Sequence, residues 1–170
     1  PVQTGPVRIG VLLPLTGTSS IIGQNVKAGI DRALTEVNSE KQRFQVIYED
    51  NQNDPKVAVT AAQKLIDIDN VDLIITTMSG ASLAAVPVAK AKNVPVIGTV
   101  VYVDITKDYT NSFQMFVSPQ SEADAFINSI DTLGIKKVSI LYTNNDYGIA
   151  EKDAIKNSAT EKGVQILDDE

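Results

Sequence analysis

Apolar and polar positions along this chain change period again and again, and the alternation predicts its elements. The run VRIGVLLPLTG, residues 7–17, is almost continuously β-branched or Leu until Pro14 and Gly17 stop it, as expected of a strand buried on both faces. From Gln24 the spacing becomes helical, with Val26, Ile30, Ala33, Leu34 and Val37 on one stripe, which predicts a helix to about Asn38. FQVIYED, residues 44–50, reads as the second strand. Asp54 and Pro55 then supply an N-cap and a first-turn proline for a helix that buries Val57, Ala58, Ala61, Leu65 and Ile66. VDLIITT, residues 71–77, is a third strand, MSGAS a turn, and an Ala-rich helix with an unexplained interior Pro87 runs to about Lys92. VPVIGT, residues 94–99, and SFQMFV, residues 112–117, are strands four and five.

After a short link at Pro119 and Gln120 the pattern begins again. Ser121 with Asp124 resembles a capping box. Phe126, Ile127, Ile130 and Leu133 make a stripe, and Gly134 ends it. KKVSILY, residues 136–142, is a strand with Tyr142 inside it, followed by the loop TNNDYG, a helix closed by Gly163, and a last apolar run at residues 164–167. Two βα units share a plan: a strand, then a polar loop ending in Ile22 and Gly23 in one and in Tyr147 and Gly148 in the other, then a helix. The fold class is therefore α/β, a doubly wound parallel sheet of Rossmann type. Residues 1–118 form a ligand-binding lobe, and residues 119–170 begin a second, similar lobe. A single six-stranded sheet is the alternative.

Composition narrows the chemistry. The net charge of −6 with 15 Lys and Arg and no basic run offers nothing to a nucleic-acid backbone. His and Cys are absent, which removes the commonest acid/base group, the thiol nucleophile and the best zinc ligands. The polar start PVQTGP suits a trimmed N-terminus. The expectation is a non-enzymatic binding protein with no catalytic residues, no cofactor and no metal; the alternatives are the ligand-sensing domain of a receptor or regulator, or an enzyme of doubly wound fold whose catalytic residues lie elsewhere.

In a sheet of order 2-1-3-4-5 the switch point lies between strands one and three, which brings forward the loops at residues 16–23 and 78–82. Ser79, Gly80, Ala81 and Ser82 are small or hydroxyl-bearing and stand where the third helix starts. Free N–H groups and the helix dipole there accept a carboxylate or phosphate. The plainer reading is that Ser79 or Ser82 caps the helix, and both readings can hold together. GTSSIIG is followed by Gln24 and Asn25 rather than Lys and Ser or Thr, so it is no phosphate loop, and no GxGxxG exists. Asp50, Asn51, Asn53 and Asp54 offer oxygen ligands without calcium-loop spacing, and like Asp104 and Asp108 they read as solvated caps. Tyr147, before Gly148 in a polar loop, has less structural reason to be there than Tyr142 and suits a ligand wall.

Taken in order, IGVLLPLTG with IGQNVKAGIDRALTEVN, YEDNQNDPKVAVTAAQKLI, LIITTMSGAS and VSILYTNNDYG resemble the type I periplasmic solute-binding proteins of the branched-chain amino-acid type, which serve ABC importers. The resemblance implies two lobes joined by three crossovers in a chain about twice this long, the first crossover falling at residues 117–120. It implies a small ligand such as an amino acid or related carboxylate, an ABC permease as partner, and a periplasmic or extracellular setting, free or lipid-anchored. The ligand's carboxylate would rest on residues 79–82, with Ser79 donating through its hydroxyl and Ala81 or Ser82 through backbone N–H. Thr99 would add contacts, and Tyr147 would close from the second lobe. Ile22 stands where the family often has an aromatic. Val100, Val101 and Tyr102 replace the family's usual small residue and Ser or Thr, so that a Tyr102 hydroxyl substitutes or the ligand is another small organic or aromatic acid. An incomplete second lobe would expose apolar surface and is expected to drive self-association of the fragment.

Overall fold

The computed structural model describes residues 5–101 and 103–170. They form two units, residues 5–100 with 104–115 and residues 101–103 with 116–170.

In the first unit β1 (Val7–Leu13), α1 (Ser20–Val37), β2 (Phe44–Asp50), α2 (Pro55–Asp67), β3 (Leu73–Thr77), α3 (Ser79–Ala91), β4 (Val96–Thr99) and β5 (Ser112–Gln114) follow in order. All pairings are parallel and the strand order is β2-β1-β3-β4-β5, the doubly wound arrangement expected. Strand β1 stops at Leu13 because Pro14 has no N–H for the ladder. One face of the sheet carries Leu12, Ile74 and Val96, all fully buried against Ala62 and Leu65 of α2 and Ala85 and Ala89 of α3. Gly10 belongs to that face, where an added Cβ would meet a Leu65 methyl carbon at 2.9 Å. The opposite face aligns Tyr48, Val11, Ile75, Ile97 and Phe113 in one row across five strands.

Several boundaries differ from expectation. Helix α1 starts at Ser20, not Gln24, and its first turn carries the exposed Ile21 and Ile22, so no apolar stripe announces it. Strand β5 ends at Gln114, and Met115, Phe116 and Val117 beyond it are exposed. A 3-10 turn at Val103–Thr106 had no sequence signal. Tyr102 and the side chain of Asp104 lie outside the described residues.

The second unit contains α4 (Pro119–Thr132), β6 (Lys137–Ile140), α5 (Asp146–Lys162) and β7 (Gln165–Asp169), with β6 and β7 paired in parallel as a separate sheet. A single six-stranded sheet is thereby replaced. The expected link at Pro119 and Gln120 is the first turn of α4, because Ser118, not Ser121, is the N-cap: its hydroxyl accepts the Ser121 N–H at 3.2 Å. Asp124 takes no part in a capping box and instead accepts from the Ser158 hydroxyl at 2.6 Å and the Gln120 amide at 2.8 Å. Ala123, Ile127 and Ile130 face the small core, while Phe126 and Leu133, on the flanks of the stripe, are exposed. Tyr142 lies past the end of β6, half-buried, with the Lys152 ammonium 4.8 Å from its ring centre. Gly163 ends α5 in the left-handed region at φ 65°, as expected, and Val164 donates back to the Ala159 carbonyl.

Candidate functional site

The C-terminal edge of the five-stranded sheet is organised by one carboxylate. Asp50, last residue of β2, accepts the Leu15 N–H at 2.8 Å, the Gln52 N–H at 2.9 Å and the Thr16 hydroxyl. Burial acts to raise its pKa, but the hydrogen bonds from Thr16, Gln52 and Leu15 outweigh it and hold the group below its ordinary 3.8. Beside it Gln52 and Asn53 take positive φ, and Asp54 closes the turn by donating its N–H to the Asn51 carbonyl at 2.8 Å. Asp54 then caps α2, accepting from Lys56 and Val57, as its position before Pro55 indicated. The carboxylates at residues 50–54 are thus spent on the loop after β1 and on the local backbone. Among the described residues no group of Asp and Glu is arranged for a metal ion.

Strand β3 passes into α3 through Met78 at φ 70°, ψ 114°, a backbone setting that costs an L-residue strain. The sharp reversal brings the first turn of α3 directly onto the strand end. No side chain caps this helix, so the capping role considered for Ser79 or Ser82 is not what these hydroxyls do. The first intrahelical bond runs from the Ser82 N–H to the Met78 carbonyl at 2.9 Å, leaving the N–H groups of Ser79, Gly80 and Ala81 ahead of it. Ser79, at the start of this turn, is 7% exposed.

Ser82 leaves the donor set expected for it. Its N–H is used by Met78 and its hydroxyl, fully buried, faces the Thr76 hydroxyl at 3.1 Å, because the fourth helical residue turns toward the sheet. Thr99 stands beside Thr77 in register at the end of β4; its hydroxyl donates to the Thr76 carbonyl at 3.3 Å. The structure thus gathers Ser79, Gly80, Ala81 and Thr99 at one sheet edge.

Ile22 and Tyr147 occupy matching places in the two units. Each precedes a glycine jammed against the preceding strand-end loop: a Cβ on Gly23 would lie 2.2 Å from the Pro14 carbonyl oxygen, and one on Gly148 2.1 Å from that of Thr143. These glycines let each helix start in contact with backbone. Ile22 is 46% and Tyr147 48% exposed. Burial, with the negative charges of Glu151 and Glu122, pushes the Tyr147 phenol above its ordinary 10. Asn145 caps this helix, accepting the Gly148 N–H at 2.9 Å. Sequence reasoning missed the Asp50 hub; its signal was a carboxylate at a strand end facing a polar loop that offers several backbone donors.

Comparison with known proteins places this geometry. Glutamate receptor 1.1 of Arabidopsis thaliana is 29% identical over 94% of this chain and 20% of its own length. Leu/Ile/Val-binding protein homolog 6 of Brucella abortus is 26% identical over 95% of this chain and 43% of its own. Among solved structures, a leucine binding protein from Thermotoga maritima superposes with a TM-score of 0.85 at 25% identity, over 95% of this chain and 48% of that one. A solute binding protein of an ABC transporter from Rhodopseudomonas palustris, in complex with 3,4-dihydroxybenzoic acid, superposes at 0.87 with 23% identity, over 96% and 46%. The chain spans less than half the length of these relatives. By name they are binding proteins and a receptor. The characteristic sequence pattern of one family matches residues 6–170, and the chain belongs to that family, the periplasmic binding proteins.

Proposed function

We propose that this chain is the N-terminal part of a solute receptor serving an ABC importer, and that it holds a small organic carboxylate on the first turn of α3. The observation that carries the reading is the buried, uncapped start of α3: three N–H groups precede the first intrahelical bond beside the buried Ser79, where a helix dipole favours negative charge. Ser79 donates through its hydroxyl, and Gly80 and Ala81 through backbone N–H. Thr99 flanks the carboxylate, and Ile22 and Tyr102 are the further candidate ligand-facing residues. In this reading residues 1–118 are the first lobe and residues 119–170 open a second, whose candidate ligand-facing residue is Tyr147. The names of relatives support the ligand class, since they include Leu/Ile/Val-binding proteins and solute-binding proteins holding benzoate or 3,4-dihydroxybenzoic acid. An ABC permease is the partner and the setting is periplasmic or extracellular. Among the described residues no helix is long and apolar enough to cross a membrane.

Ser79→Ala is expected to weaken binding of the carboxylate by about 1–3 kcal/mol, the worth of one charge-assisted bond in a buried site. Calorimetric titration of the natural protein and the variant with its best-bound acid measures this. Unchanged affinity would place the carboxylate elsewhere and remove the basis of the reading. The similarity to a plant glutamate receptor favours a second reading, the ligand-sensing domain of a membrane receptor; a membrane-spanning helix in the sequence beyond residue 170 of the natural gene would select it.

A further inference from the structure

We infer that the outer surface of the α2 and α3 layer joins two copies of this chain, the exposed Ile68 of each entering a groove beside α3 of the other. Both features belong to the first unit, and neither depends on the carboxylate reading above. The groove, 370 Å³ in volume, lies between α3 and residues 105–109. Val86, Ile105 and Tyr109, all buried, make its floor, and the exposed Lys90, Lys107 and Asp108 make its rim. An apolar centre inside a charged rim is the anatomy of a protein contact.

Two observations mark the groove as unfilled by its own chain. Lys64, Lys92 and Asp67 nearby are ion-paired, whereas among the described residues Lys90, Lys107 and Asp108 are not. The α3 wall is Leu83, Pro87 and Lys90, spaced four and three. A proline inside a helix forfeits a backbone hydrogen bond, and this one is exposed and outside the buried core, where no packing within the chain offsets the loss.

The complement stands on the same layer. Ile68, the residue after α2, is 69% exposed and sits between Asp67 and Asp69. Asp67 reaches Lys92, just past α3, at 2.8 Å, so the end of α2 borders the end of the helix that walls the groove. An aliphatic side chain between two carboxylates matches an apolar floor with two ammonium groups on its rim. Asp69 is paired with Lys64 at 3.7 Å, while the exposed pair of Asp67 with Lys92 is weak enough to be shared with a partner's lysine. A protrusion and its socket on one surface meet reciprocally across a two-fold axis, which closes the assembly at two chains.

Sedimentation equilibrium of the 170-residue chain, taken up to ~1 mM, is expected to show a monomer-dimer equilibrium. Ile68→Asp, and separately Lys90→Glu combined with Lys107→Glu, should each weaken it at least ~10-fold. The two variants are then mixed. The intact Ile68 of one fits the intact groove of the other, so a mixed dimer should form at concentrations where neither variant pairs with itself. Only folded chains form it, which excludes unfolding as the cause of the earlier losses. A natural chain that stays monomeric throughout overturns the proposal. A dimer unweakened in either variant also overturns it, placing association on another surface such as the exposed apolar side chains of the second unit. Failure of the mixture to pair overturns the reciprocal fit.

Discussion

Three glycines in helices make a controlled experiment on what holds the ligand-facing edges in place. Gly23, Gly29 and Gly148 all lie within α1 or α5, and alanine is the better helix former by about 0.5–1 kcal/mol, so helix propensity alone predicts that all three Gly→Ala variants are stabilised. Space predicts otherwise for two of them. A Cβ on Gly29 meets nothing within 4 Å, whereas one on Gly23 would lie 2.2 Å from the Pro14 carbonyl oxygen and 2.7 Å from its carbon. One on Gly148 would lie 2.1 Å from the Thr143 carbonyl oxygen and 2.8 Å from its hydroxyl. Ordinary contact begins near 3.4 Å, so each helix start would have to retreat from its strand end. Such overpacking against backbone costs roughly 1–3 kcal/mol. Net of propensity, Gly23→Ala and Gly148→Ala should lose about 1–2 kcal/mol while Gly29→Ala gains about 0.5–1 kcal/mol. At roughly 2–4 °C per kcal/mol for a chain of this size, thermal melts would separate Gly29→Ala from the other two by several degrees. Urea titrations give the same ordering from the midpoints if slopes are unchanged. A Gly23→Ala variant as stable as Gly29→Ala would refute the close approach, and with it the matched placement of Ile22 and Tyr147.

Removing the α2 cap by Asp54→Ala should cost ~1 kcal/mol, read as a lower denaturation midpoint, because the N–H groups of Lys56 and Val57 lose their acceptor. Glu151 has its pKa raised above 4.5 by burial and by the charge of Glu122. The folded state therefore holds this proton more tightly than the unfolded chain, and the associated stability is complete below pH 4.5 and lost as pH rises through the folded value. Glu151→Gln should accordingly be more stable than the natural chain at neutral pH, with the difference closing as pH falls below 4.5. Unfolding curves across that range check the sign, and a difference that grows toward low pH would refute it.

The strand order was legible because the strands are short, mostly apolar runs and each intervening helix changes the period. Asp54 before Pro55 and Gly163 at the end of α5 announced their helix termini by chemistry that needs no tertiary context. The start of α1 was illegible for the converse reason. Ser20, Ile21 and Ile22 carry no stripe, and what permits the helix there is the absence of a Cβ at Gly23 against a backbone atom distant in the pattern. Phe126 and Leu133 were expected inside because they are large and apolar, yet the narrow α4–α5 contact admits only the residues at the centre of the stripe. At the site, the hydroxyls of residues 79–82 were visible but their directions were not. One helical turn separates Ser79 from Ser82, whose hydroxyl is committed to Thr76. Asp50 looked like any acidic strand end, since two of the residues it binds, Leu15 and Thr16, come from a loop some 35 residues earlier.

The Asp50 hub bears on the thermodynamics of recognition. Because Leu15, Thr16 and Gln52 are tethered to one carboxylate, the loop after β1 and the turn after β2 form a single stiff rim. Ordering a free loop costs about 1–2 kcal/mol per residue, and a rim already fixed spares the ligand that expense. Association at this edge should therefore carry a small conformational entropy penalty, and differences among ligands should appear mainly in enthalpy.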